Sequence, residues 1–228
     1  MGARSPIDGG GVGRYPERYP GRFPGWLKTG FWICLVIAVA VVLRRVVALA
    51  HPSQGGASPT AALDAVFASH AGLTLAHILP AMMFVLLTPV VLLRPGTAWA
   101  ERLFFPLGLV VGITAYAMSA YPVGGWVERS AVLVFNSLFL FSLARAYGAM
   151  RRGDGVEKMR WVLRAVAILL GIATTRPVMG VFFATSRLTH LEPKQFFGIA
   201  FWIGFSINTI AIELWLRSRA RIAKHSRT

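Results

Sequence analysis

Long apolar runs alternate with short polar segments along most of the chain. A helix needs about 20 predominantly apolar residues to cross a hydrocarbon core of about 30 Å. Runs of that length predict six spans: Phe31–Ala50, Gly72–Leu93, Leu103–Tyr121, Ser130–Ala149, Trp161–Ala184 and Phe197–Leu216. The segments between them are too short for a soluble domain, so the pattern predicts an all-α, polytopic transmembrane bundle.

The composition agrees with a chain embedded in lipid. Of the 228 residues, 55% are hydrophobic and 14% are charged, whereas a soluble domain carries about 25% charged residues. The net charge of +15 could indicate a nucleic-acid partner. The basic residues instead flank the apolar runs, which indicates a lipid bilayer as the partner and no nucleic acid.

The basic residues fall mainly on one side of the predicted bundle. They occur before the first span, between the second and third, between the fourth and fifth, and after the sixth. By the positive-inside rule, both termini are predicted to be cytoplasmic and the protein to lie in a bacterial inner membrane. Arg44 and Arg45 interrupt the first span near its outer end, where their long side chains can reach the interface. The alternative is a signal peptide cleaved at Ala48-Leu49-Ala50, but a polar lead of about 30 residues argues against it.

The predicted domains are a disordered basic tail over residues 1–28, the six-helix domain over 29–217, and a basic tail over 218–228. The first tail repeats Arg14-Tyr-Pro-Glu, Arg18-Tyr-Pro-Gly and Arg22-Phe-Pro-Gly. Proline at every fourth position blocks a helix, so we interpret the tail as a solvated segment that sets the topology. A docking segment for a partner or for anionic lipid is the alternative.

Small residues recur on one face of two spans. Gly108, Gly112, Ala115 and Ser119 share a face in the third, and Ala167, Gly171 and Thr175 share one in the fifth. Such spacing lets helices approach closely. We interpret both faces as packing surfaces within the bundle, with a helix-mediated homo-oligomer as the alternative. The single cysteine, Cys34, is predicted to be a small buried residue.

Four polar side chains are predicted to share one layer near the outer side. At about 1.5 Å of rise per residue, Arg176 lies about 12 Å below the outer boundary, while His77, Asn136 and Tyr116 lie about 8–9 Å below it. No carboxylate is expected at that depth, because Asp64, Glu128 and Glu192 are assigned to outer loops.

Ionisable groups within a membrane are costly and are therefore functional candidates. An arginine held by neutral groups suits an anionic or carbonyl-bearing ligand, such as a lipid headgroup or a quinone. The structural alternative is that Arg176 donates to helix carbonyls released by Pro177.

A second polar cluster is predicted at the cytoplasmic side. Arg164 and Glu213 lie at similar depths in the fifth and sixth spans, which predicts a structural ion pair; Arg102 or Arg145 could replace Arg164.

No catalytic or metal site is predicted. His51, His70, His77 and His190 lack close metal-ligand spacing. A haem held by two histidines needs both in one cavity, and only His77 lies within a span. The sequence shows no catalytic motif, so an enzymatic role is not favoured.

From the second span onward the chain resembles a mainly bacterial membrane family, domain of unknown function 2306. The resemblance rests on His77-Ile78, Gly124-Gly125, Trp161-Val-Leu-Arg164-Ala, Thr174-Thr-Arg176 and Asn208-Thr-Ile-Ala-Ile-Glu213, in that order. It covers about Leu73 to Arg217 and implies an integral membrane protein of about six helices, without supplying an activity. Where the family often carries histidines, this chain has Glu101, followed by Arg102, and Lys158.

Three functional interpretations follow. The first is a module that binds a lipid or another small ligand in the outer polar layer. The second is a redox membrane protein that binds quinone or haem. The third is a small transporter.

Overall fold

The computed structural model describes residues 23–50, 65, 67–190 and 193–225, and within these ranges it contains no strand. Six long helices run in chain order: α1 (Gly25–Ala50), α2 (Ala71–Leu93), α3 (Ala98–Met118), α4 (Gly125–Arg151), α5 (Gly155–Thr189) and α6 (Pro193–His225). Each is long and apolar enough to cross a membrane. The prediction of an all-α bundle with six spans is confirmed.

The helices extend beyond the predicted spans. α1 begins at Gly25, so the end of the predicted 1–28 tail forms its first turn, and α6 continues to His225, through most of the predicted 218–228 tail. The repeats at Arg14 and Arg18 lie outside the described residues. Charged residues can continue a helix past the hydrocarbon core because its backbone groups are already hydrogen-bonded to one another.

Short connections make consecutive helices antiparallel from α2 onward. Four residues join α2 to α3, and three join α4 to α5. At the second of these, Gly153 adopts a φ of 72°, and the Asp154 side chain caps α5 by accepting from the Glu157 backbone nitrogen at 2.9 Å. The start of α1, both these turns and the end of α6 therefore lie at one end of the bundle. We call it the basic end, because it carries Lys28, Arg94, Arg102, Arg151, Arg152 and Arg217.

α5 is the central helix and contacts α1, α2, α4 and α6, whereas α1 contacts only α2 and α5 among the described helices. Glycines, which have no Cβ atom, permit the closest approaches between helices. A Cβ atom on Gly112 would lie 2.4 Å from Leu140 of α4, and one on Gly171 would lie 2.9 Å from the Cα atom of Phe205 in α6. The two small-residue faces thus pack against helices of the same chain.

Candidate functional site

Two of the predicted polar residues form hydrogen bonds that join α3 to its neighbouring helices. His77 of α2 shares a hydrogen bond of 2.9 Å between its Nδ1 and Thr114 Oγ1 of α3. Asn136 of α4 donates from Nδ2 to the Gly112 carbonyl of α3 at 2.9 Å. Both bonds cross between helices, and both involve a residue of the predicted polar layer.

Three of the four predicted residues line one cavity of about 240 Å³, which we call the Arg176 cavity. It lies inside the bundle, and all six helices contribute to its wall. Arg176, His77 and Asn136 face it. Tyr116 does not line it; the Tyr116 hydroxyl instead pairs with Ser137 Oγ at 2.6 Å.

Arg176 is the least satisfied polar side chain of this cavity. Its Nε is buried and has no hydrogen-bond partner among the described residues. Pro177 follows it inside α5 and leaves one helix carbonyl without its usual donor. Arg176 Nε does not donate to that carbonyl. The alternative that Arg176 serves only to donate to helix carbonyls released by Pro177 is therefore not supported by its Nε atom.

Glu128 corrects one expectation. The apolar pattern of the sequence predicted Glu128 in an outer loop, but Glu128 lies in the first turn of α4 and lines the Arg176 cavity. Its Oε2 accepts a hydrogen bond from the Gly124 backbone nitrogen at 2.6 Å, and the carboxylate interacts electrostatically with Arg176. The layer therefore contains an acid, placed where the positive end of a helix dipole favours one.

Two glycines explain how Glu128 reaches the cavity. A Cβ atom on Gly198 of α6 would lie 2.6 Å from the Glu128 backbone nitrogen, and one on Gly124 would lie 2.7 Å from the Gly198 nitrogen. The first turn of α4 therefore rests directly on the α6 backbone. Acidic residues are enriched in the first turn of helices, so the acid shortly after the Gly124-Gly125 turn could have located the start of α4.

Hydrogen bonding assigns the tautomer of His77. The Thr114 hydroxyl donates its single hydrogen to the Val110 carbonyl at 2.7 Å, so it accepts from His77 Nδ1. In a neutral imidazole the other nitrogen is then an acceptor. His77 Nε2 thus remains as a hydrogen-bond acceptor on a ring that lines the cavity.

The second polar cluster lies towards the basic end. Arg164 Nε contacts Glu213 Oε1, and Arg164 Nη2 lies 3.4 Å from Glu213 Oε2. The Arg164 guanidinium also lies 4.4 Å from the centre of the Trp161 ring. Arg145, one of the alternative partners, lies 3.9 Å from Glu157 instead.

The histidines do not assemble a metal site in the described part of the chain. No group of three or more His, Cys, Asp or Glu side chains with metal-binding geometry occurs there. His70 stacks on Tyr121 with ring centroids 3.9 Å apart, and His190 ends α5 in a left-handed conformation. His51 lies outside the described residues.

A family model described as predicted membrane protein, DUF2306, matches residues 74–216. The chain belongs to the DUF2306 family. The match covers α2 to α6 of this DUF2306 protein almost completely and begins after α1. No match was found among curated proteins or solved structures.

The two positions at which this DUF2306 protein departs from the family pattern contact each other. Lys158 Nζ lies 2.6 Å from Glu101 Oε1, and the two side chains are only 12% and 14% exposed. A partly buried ion pair therefore occupies the two positions at which the family often carries histidines.

Proposed function

We propose that the protein binds a membrane-soluble ligand with an anionic or carbonyl-bearing headgroup in the Arg176 cavity. The observation that carries this proposal is Arg176 itself, a cation on the wall of an internal cavity with its buried Nε unpartnered among the described residues. A buried donor without an acceptor costs about 1–3 kcal/mol. A ligand oxygen would remove that cost.

The remaining wall fits such a ligand. Small-molecule sites are mainly apolar and aromatic, with a few polar groups that fix orientation. Here the aromatic part comprises Phe67, Phe135, Phe139, Phe197, Phe201 and Phe205. Arg176 supplies a donor for a ligand oxygen, and His77 Nε2 supplies an acceptor for a ligand hydroxyl. A headgroup that carries both groups could therefore be held from two sides.

Size and charge narrow the ligand. Typical sites for whole drug-sized ligands occupy about 300–1,000 Å³, so a cavity of about 240 Å³ suits a headgroup or a single ring better than a whole lipid. Arg176 and Arg45 outnumber Glu128 among the charged residues described in its wall, which favours an anion or a carbonyl oxygen. A bis-histidine haem is less suited, since His77 is the single histidine among the described lining residues.

The cellular setting is part of the proposal. We infer a bacterial inner membrane with the basic end in the cytoplasm, because arginine and lysine concentrate at that end. The Arg176 cavity would then open towards the outer leaflet.

Native mass spectrometry of gently purified protein tests the proposal. We expect wild type to carry a bound lipid or quinone, and Arg176→Gln to lose it. Arg129→Gln is the matched control, because Arg129 is an exposed arginine of α4. The same number of bound ligands in wild type and Arg176→Gln, or a wild type without ligand after extraction from native membranes, would overturn the proposal. The bound mass distinguishes lipid from quinone, and a haem mass would favour the redox alternative.

A further inference from the structure

A second cavity lies nearer the basic end, between α1 and α6. Its volume is about 400 Å³, and α2 and α5 complete its wall. Among the described residues, no Cα atom of α1 lies within 8 Å of a Cα atom of α6. Phe23, just before α1, stacks on Trp215 of α6 with ring centroids 5.4 Å apart. We call this the Asn208 cavity.

A hydrogen-bonded chain crosses three helices beside this cavity. Thr174 of α5 donates its hydroxyl hydrogen to Asn208 Oδ1 of α6 at 2.8 Å. Cys34 Sγ of α1 lies 3.6 Å from the same Thr174 oxygen. Because a hydroxyl has one hydrogen, Thr174 accepts from the Cys34 thiol.

This chain determines what Asn208 offers to the cavity. Its Oδ1 is occupied by Thr174, so the Nδ2 amide with two hydrogens is the free end of the side chain. No hydrogen bond from Nδ2 is formed within the described part of the chain. The wall around Asn208 is otherwise apolar apart from Cys34 and Lys28. Asn208 is partly buried, and a carbonyl oxygen is the natural partner of its amide hydrogens.

The depth of Asn208 in the membrane determines which kind of carbonyl compound can reach its amide. Asn208 and Arg217 are nine positions apart on α6, or about 14 Å along a helix. The ester carbonyls of membrane lipids lie in the polar interfacial region outside the hydrocarbon core, and would have to leave it to reach Asn208. A lipophilic ring with its own carbonyl dissolves in the core and can enter through the gap between α1 and α6.

We propose that the Asn208 cavity binds a quinone-type ring, with a ring carbonyl oxygen accepting a hydrogen bond from Asn208 Nδ2. Phe31, Trp32 and Leu170 line the space available to the ring. The site is separate from the Arg176 cavity: Asn208 is not among the residues that line that cavity, and Arg176 is not among those that line this one.

The alkylation rate of the Cys34 thiol can report ligand binding in the Asn208 cavity. It is the single cysteine of the chain and lines this cavity, so a bound ring should shield its thiol. The probe is a fully substituted benzoquinone with a decyl chain, whose ring has no open position for thiol addition. In lipid nanodiscs, the rate of Cys34 alkylation by N-ethylmaleimide is measured by intact mass with and without the probe. At a probe concentration ten times its Kd we expect the rate to fall about 11-fold, because only free protein reacts.

Three variants sharpen the measurement. Asn208→Leu removes the donor and should raise the Kd about fivefold, which corresponds to one hydrogen bond. At the same probe concentration the rate should then fall only about threefold. Ala211→Leu fills part of the cavity, keeps the amide and should abolish protection. Arg176→Gln should protect as wild type does, which separates this site from the proposed function. Each rate is compared with that of the same variant without probe.

Decylbenzene, which has the same chain and no carbonyl, is the control ligand. Equal protection by decylbenzene would show a site for hydrocarbon alone and overturn the proposal. Absence of protection in wild type, or full protection in Asn208→Leu, would also overturn it. Protection by the quinone alone, reduced in Asn208→Leu and abolished in Ala211→Leu, supports it.

Discussion

The ion pair between Arg164 and Glu213 allows a quantitative test of how this bundle is held together. The relevant changes are Arg164→Leu, Glu213→Gln and the two combined. The pair joins α5 to α6 through two nitrogen–oxygen contacts, and its side chains are 22% and 30% exposed. Each single change leaves one charge without its main partner.

The degree of burial sets the expected magnitude. Breaking a buried pair costs about 3–5 kcal/mol, whereas exposed pairs contribute about 0.2–1 kcal/mol. With roughly a quarter of the surface exposed, we expect each single change to lower the free energy of unfolding by about 2–3 kcal/mol. The double change leaves no lone charge and should cost about 1–2 kcal/mol, less than either single change.

Reversible unfolding in mixed detergent, followed by tryptophan fluorescence, measures the four free energies of the cycle. Arg217→Gln serves as the control, because Arg217 lies 3.9 Å from Glu213 but is 74% exposed; it should change stability by less than about 0.5 kcal/mol. Losses that simply add in the double variant would refute the interaction. A double variant as stable as wild type would show that the pair contributes specificity rather than stability.

Three further predictions follow from contacts and charge. Gly204→Ala would place a Cβ atom 2.7 Å from the Thr175 backbone nitrogen and should lower the free energy of unfolding by about 1–3 kcal/mol. Gly180→Ala is the control: it has nothing within 4 Å and should be neutral or slightly stabilising. Identical melting curves for the two variants would contradict this prediction. Lys158→Met leaves the buried Glu101 carboxylate without its cation and should cost about 3 kcal/mol, whereas adding Glu101→Gln should recover most of the loss in the same unfolding assay. A fluorescent protein fused after α6 should fluoresce and alkaline phosphatase fused there should be inactive, because the basic end is expected in the cytoplasm; an active phosphatase would reverse the orientation.

The sequence was informative about position along each helix but not about rotation around it. Apolar run length is a local property, so all six helices were predicted. Depth follows from helical rise, so His77 and Asn136 were assigned to the same layer. Tyr116 was grouped with them because an all-apolar run does not show which side of the helix faces the interior.

The errors near the ends have a different origin. α4 begins at Gly125, five residues before the predicted Ser130, because polar residues at a helix start lower the apolar signal without ending the helix. That shift moved Glu128 from a loop into the bundle. The Asn208 cavity could not be predicted, since it depends on a gap between α1 and α6, which are distant in sequence.

α1 buries few of its residues and borders both cavities. Among the described residues of this helix only Leu35 and Ala38 are buried. Phe31 and Cys34 lie on one side of that contact and line the Asn208 cavity, while Val42 and Arg45 lie on the other side and line the Arg176 cavity. α1 therefore forms part of the wall of both cavities, and a displacement of this helix would change the shape of both. When ligands occupy both sites, one that displaces α1 should change the affinity for the other, by the same factor in both directions.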